Sequence, residues 1–145
     1  MLVKDMMTKN VVTIDMSNTV YEACQRYQEY GVGCLVVMNN DLIVGILTER
    51  DMIERVIIDQ KDPKKTPVEE IMSRNIKTIH ASAKVEQAAE MMKTHRIKKL
   101  PVVLNNKIVG IVTATDLANL TPNFARTLQQ LINEKKPVHR VAPVP

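Results

Sequence analysis

The 145-residue chain carries 20 Lys and Arg against 16 Asp and Glu, a formal net charge of +4, and is 45% hydrophobic with one Phe, three Tyr and no Trp. A chain of this length buries roughly 70% of its unfolded surface, which supports a core, and the composition makes that core aliphatic and Met-rich. No run approaches the ~18 apolar residues of a membrane span, Lys4 and Asp5 break the N-terminal apolar stretch, and Cys24 and Cys34 show neither CxxC nor Cys/His spacing. The expectation is therefore a cytoplasmic protein with no membrane span, signal peptide, disulfide or metal site, its two cysteines serving as small buried hydrophobes.

In chain order, a short Met-rich segment (Val3–Met7) precedes a small strand, "VVTI" at 11–14, and a Ser. Val20, Ala23, Cys24 and Tyr27 then recur at i, i+3, i+4 and i+7, the apolar stripe of a helix. Two apolar runs follow, "CLVVM" and "LIVGILT", joined through Asn40 and Asp41, residue types that tolerate the positive φ of a tight hairpin turn. Thr48-Glu-Arg-Asp51 opens another helix. Charges and two prolines mark 59–67 as a linker between the first unit, 1–58, and the second, 68–120.

A shift of 65 residues then aligns Val3–Asp51 with Val68–Asp116 without a gap, pairing Met7 with Met72, Gly45 with Gly110, Thr48 with Thr113 and Asp51 with Asp116. The second unit repeats the pattern: "VEEIM", the strand "IKTI" at 76–79, a helix striped by Val85, Ala88, Ala89 and Met92, and "LPVVL" with "KIVGIVT" joined at Asn105-Asn106. One β-α-β-β-α unit has too little apolar surface to stand alone. The expected fold is mixed α/β, with two such repeats packed about a pseudo-twofold axis into one functional domain. After it, Thr121-Pro122 reads as a helix start, Phe124, Ala125, Leu128, Leu131 and Ile132 form one stripe of a C-terminal helix (121–134), and 135–145 is a basic, proline-rich tail. That tail has charge but no aromatic stacking platform, which argues against nucleic acid as its partner.

The charge is uneven. Residues 1–66 hold 8 Lys and Arg against 10 Asp and Glu, and residues 67–145 hold 12 against 6, so the second half supplies most of the attraction for an anion. Both Thr-x-x-Asp segments satisfy the capping-box pattern, which accounts for them without any ligand. The same geometry also suits a ligand site, because a Thr hydroxyl can donate to phosphate and an ionised Asp can accept from ribose hydroxyls. A catalytic carboxylate pair is disfavoured, since no His, Ser or Cys recurs beside the two acids, and GxxxxGK[ST] and GxGxxG are both absent.

The paired "hhGhhTxxDh" endings, the Met-rich leading segments and "HRIKKLPVV" at His95–Val103 together resemble the cystathionine β-synthase (CBS) domain, which occurs in pairs called Bateman modules. The resemblance spans about Val3–Leu117. It implies a regulatory module rather than an enzyme, requiring no cofactor, binding AMP, ADP or ATP between its repeats, and forming a homodimer that acts on a regulated protein partner. It further implies that Asp51 and Asp116 meet the ribose, that Thr48, Thr113, Lys98 and Lys99 meet phosphate, and that Thr13, Ile14, Thr78, Ile79, His80, Val36 and Pro101 lie near the adenine. On composition alone Lys98 and Lys99 read rather as a solvated strand edge, and Arg50 reads as a solvated helix residue or a partial substitute for the charge missing at Gly33 and Cys34. S-adenosylmethionine and NAD are alternative ligands. A structural module that docks a protein or nucleic acid is the alternative class.

Overall fold

The computed structural model describes residues 1–120; the expected C-terminal helix and basic tail lie outside the described residues. Each repeat forms a three-stranded sheet. In the first, β1 (Thr13–Asp15) runs parallel to β2 (Cys34–Asn39), which pairs antiparallel with β3 (Leu42–Thr48); α1 (Val20–Tyr30) makes the crossover. The second repeats this with β4 (Ile79–His80), α3 (Val85–His95), β5 (Lys99–Leu104) and β6 (Lys107–Thr113). Equivalent bulges fall at Val37/Met38 and Val102/Val103. The hairpins turn through left-handed asparagines, Asn40 at φ 54° and Asn105 and Asn106 at 51° and 64°, as their residue types allow.

The small strands begin later than the expected 11–14 and 76–79. Three-residue turns intervene, in which Val11 N donates to the Lys9 carbonyl (3.0 Å) and Ile76 N to that of Arg74 (2.9 Å). Cys24 is exposed and Cys34 half-buried, contrary to the expectation that both are core residues. The buried face of α1 is narrower than its apolar stripe, taking Val20 and Ala23 but leaving Cys24 outside, whereas all four striped residues of α3 are buried.

The hydrophobic cores do not follow the sequence units. Val3, from the first unit, is buried among Ile79, Met92, Leu100 and Leu117 of the second, and Val68, Ile71 and Met72 are buried among Ile14, Leu35 and Leu47 of the first. Backbone bonds fix this exchange of leading segments. Val3 N donates to the Ala83 carbonyl and Val68 N to that of Asn18, both at 2.8 Å. Thr8 pairs with Ile111 in both directions (2.8 and 2.9 Å), and Ser73 with Ile46 (2.9 and 3.0 Å). Burying each such aliphatic side chain contributes roughly 1.5–3 kcal/mol, so each repeat depends on the other for part of its core.

The exchange also explains the glycine in each "IVGI". Met72 crosses directly over Gly45, where an added Cβ would lie 2.6 Å from the thioether sulfur, and Met7 crosses Gly110 in the same way at 2.5 Å. Only a residue without a side chain admits that approach.

Two further helices complete the pair: α2 (Glu49–Met52), which continues through Ile53–Ile57 in π-helical geometry, and α4 (Ala114–Ala118). The C-termini of α1 and α3 are closed at equivalent positions by left-handed residues, Gly31 (φ 62°) and Arg96 (φ 53°, ψ 46°). Glycine is at home there, whereas an arginine is strained by about 1 kcal/mol.

Candidate functional site

The pairing of Ser73 with Ile46 brings the strand–helix junction of the first repeat against the start of the second. A cleft of about 350 Å³ opens there, within the range of small-molecule sites. The first repeat contributes Ile46, Thr48 and Arg50. The second contributes the stretch from Ser73 through Asn75, Ile76 and Lys77, and a second wall of Arg96, Ile97, Lys98 and Lys99.

Thr48, Arg50, Lys98 and Lys99, four of the residues selected from sequence, thus share one cleft. Asp51 does not line it. It is 6% exposed and lies behind the wall, closing the capping box of α2: its Oδ2 accepts from Thr48 N (2.9 Å) and from the Thr48 hydroxyl (3.1 Å). Its Oδ1 accepts from the Ser73 hydroxyl (3.3 Å) and faces Arg55 Nε at 3.9 Å. Arg55 in turn donates to the Ile71 and Met72 carbonyls, 3.1 and 3.0 Å away, which anchors the exchanged segment.

Asp51 therefore holds a hydroxyl from each repeat, and both belong to residues that line the cleft. With its hydroxyl directed to Asp51 and its oxygen also accepting from Asp51 N (3.4 Å), Thr48 Oγ1 keeps one lone pair that can accept from a sugar hydroxyl.

Thr113 and Asp116 form the matching capping box on α4, with Thr113 N donating to Asp116 Oδ2 and Asp116 N to Thr113 Oγ1, each at 3.1 Å. Neither residue is in this cleft. The residues expected near the adenine are dispersed. Thr13 and Ile14 line a separate groove of about 590 Å³ beside the hairpin turns at Asn40 and Asn106. Thr78 is exposed, and exposed His80 accepts from Ser82 N through Nδ1 (3.0 Å). Val36, Pro101 and Ile79 are buried, and none of them lines this cleft. The apolar surface of the cleft comes instead from Ile76 and Ile97, with Ile46 at its base. Neither they nor Ser73, Asn75, Lys77 and Arg96 were singled out by sequence; the 65-residue repeat marks their positions, but nothing local marks the cross-repeat pairing that assembles them.

Lys99 opposes the half-buried Cys34 of the other repeat. Burial raises the Cys34 thiol above its usual range and the Lys99 ammonium partly offsets this. Burial also pushes Tyr27 well above the usual phenol range, its hydroxyl bonding the Leu47 carbonyl one residue before Thr48. Among the described residues no three His, Cys, Asp or Glu side chains cluster so as to hold a metal ion, and no helix is long and apolar enough to cross a membrane.

Fold and cleft define a tandem-repeat module with a ligand-sized crevice where its two halves exchange segments. The chain belongs to the CBS domain family, whose profile matches residues 3–58 and 68–122. It is 36% identical over 116 residues to the CBS domain-containing protein YhcV of Bacillus subtilis, covering 80% of this chain and 82% of that protein. Among solved structures it is similar to an uncharacterized conserved protein of Pyrococcus horikoshii (TM-score 0.70, 38% identity, 80% of this chain and 88% of that one). It is also similar to a hexameric CBS-CP12 protein from bloom-forming cyanobacteria (TM-score 0.74, 29% identity, 87% and 74%).

Proposed function

We propose that the chain is a non-catalytic regulatory module that senses an adenine nucleotide in the cleft between its repeats. The observation that carries this reading is the composition of the cleft: cations for phosphate on Arg50, Lys98 and Lys99, apolar side chains at Ile76 and Ile97 for a base, and hydroxyls at Thr48 and Ser73 for a sugar. Asp51 sets the direction of both hydroxyls and so acts as a positioning residue. The positive lining favours AMP, ADP, ATP or NAD over S-adenosylmethionine, whose sulfonium and ammonium would face like charge.

Isothermal titration with AMP, ADP, ATP, NAD and S-adenosylmethionine tests the proposal, and saturable binding of an adenine nucleotide is expected. A thermal-shift panel in which none of them raises the melting temperature would refute it, leaving the ligand-free docking module.

Self-association is part of the same reading. Ile53, Ile57 and Ile58 are 54%, 67% and 69% exposed on and just beyond the π-helical turn of the first repeat, an apolar face suited to a second copy. Sedimentation equilibrium of the chain and of an Ile57→Asp variant checks it, with a dimer expected to give way to monomer.

A further inference from the structure

Among the described residues, five cationic side chains line the cleft, namely Arg50 from α2, Lys77 ahead of β4, Arg96 at the end of α3, and Lys98 and Lys99 at the start of β5, and no Asp or Glu does. Arg50 is held by Glu54 at 2.8 Å in an exposed pair. The 65-residue repeat provides an internal control. The uncharged lining keeps its character at the equivalent positions: Ile46 matches Ile111, Thr48 matches Thr113, and Asn75 matches Asn10. The cations do not. In the same order, Thr115, Val12, Gly31, Gly33 and Cys34 stand where the five charges would be. Positive charge is thus concentrated on one of two otherwise equivalent positions.

Arg96 adds a second observation. Its left-handed backbone matches that of Gly31 in the first repeat, so the second repeat keeps a strained arginine where glycine is relaxed. Strain of this kind clusters at ligand sites, and Arg96 lines the cleft whereas Gln60, left-handed at φ 54°, does not.

We infer that this cleft takes a nucleotide bearing a chain of three or more phosphates in preference to a monophosphate, and that each chain takes one such ligand. The inference rests on the nucleotide reading above. A monophosphate brings about two negative charges and each further phosphate about one more, so, with Arg50 already paired with Glu54, a triphosphate comes closer than a monophosphate to balancing the positive lining. Lys77 and Arg96, on the two walls of the second repeat, separate the long anion from the short one.

Titration calorimetry on the full chain with adenosine, AMP, ATP, GTP and inorganic tripolyphosphate tests this. ATP is expected to bind at least about tenfold more tightly than AMP, at one per chain, and to be displaced by tripolyphosphate. Lys77→Ala and Arg96→Gly are each expected to weaken ATP about tenfold while changing AMP less than about threefold. Without ligand, Arg96→Gly is expected to melt higher than the parent chain, which separates lost binding from lost folding. Equal affinities for AMP and ATP, two ATP per chain, or an Arg96→Gly variant with parental ATP affinity would each overturn the inference, and the first would leave the nucleotide reading standing. Tripolyphosphate, GTP and ATP binding alike would uphold the polyanion site and remove the adenine from the reading. Failure of every ligand to bind would end both.

Discussion

Replacing Gly45 with alanine tests the exchange of leading segments on which core and cleft both depend. The new Cβ would lie 2.6 and 2.9 Å from Sδ and Cγ of Met72 and 3.0 Å from the Ser73 carbonyl oxygen. A thioether can shift, but the carbonyl is held in the reciprocal Ser73–Ile46 bonds of 2.9 and 3.0 Å. Overpacking of this kind destabilises by about 1–3 kcal/mol. Met72→Ala alone empties a site whose side chain is 3% exposed, at about 2–5 kcal/mol. The double variant removes the thioether from the new Cβ but leaves it against the Ser73 carbonyl, so it should fall below Met72→Ala by less than the full cost of Gly45→Ala, a favourable coupling of about 1 kcal/mol. Urea unfolding of the four proteins, with one transition and a common slope, measures it. Additivity within about 0.5 kcal/mol would mean that Met72 does not cross Gly45, and the exchanged core would fall with it.

Three further outcomes follow from individual contacts. Asp51→Ala should lose about 1–2 kcal/mol through the α2 cap and also weaken nucleotide binding, whereas Asp116→Ala should show the loss of stability without an effect at this cleft; urea unfolding beside calorimetry separates the two. Tyr27 has a folded-state pKa raised above its ordinary value of 10.0 by burial, so its contribution is fully present below pH 10 and lost as pH rises beyond it; Tyr27→Phe should flatten the alkaline limb of a melting-temperature profile and cost about 1 kcal/mol at neutral pH for the Leu47 bond. Cys24 is exposed and Cys34 half-buried, and burial raises both thiols; a disulfide reagent should therefore modify Cys24 first and both faster as pH rises, and preferential labelling of Cys34 in the native chain would contradict the burial.

What was legible in the sequence was local. The apolar stripe of α3, the asparagine turns and both capping boxes depend on residues within a few positions of one another, and the gapless register between Val3 and Asp116 multiplied each weak signal by two. The cleft was only half legible. Thr48, Lys98 and Lys99 stand in a recognisable motif, but Ser73, Asn75, Ile76 and Lys77 reach the site through a backbone pairing with Ile46 that no local pattern encodes. Arg96 was hidden for a different reason: a basic residue at a helix C-terminus has an ordinary explanation in the helix dipole, and its positive φ is not written in its residue type. The burial of Val36, Pro101 and Ile79 was not legible either, because a place in a strand does not say which of its faces is closed over.

On the proposed reading, the exchange of segments couples a ligand to both repeats at once. A nucleotide bound as proposed would meet Thr48 on one repeat, Arg96 through Lys99 on the other, and Ser73, whose backbone ties the two together. Its binding energy is therefore applied to the junction rather than to either core. At a concentration one hundred times its dissociation constant, a ligand stabilises the form that binds it by about 2.7 kcal/mol, comparable with burying one of the exchanged aliphatic side chains. Amide exchange should accordingly slow on nucleotide binding at the Ser73–Ile46 bridge more than in the β5–β6 hairpin, where Val102 and Val112 are already fully buried. Uniform slowing across both sheets would instead place the ligand's effect in global stability and deny the junction a special part in it.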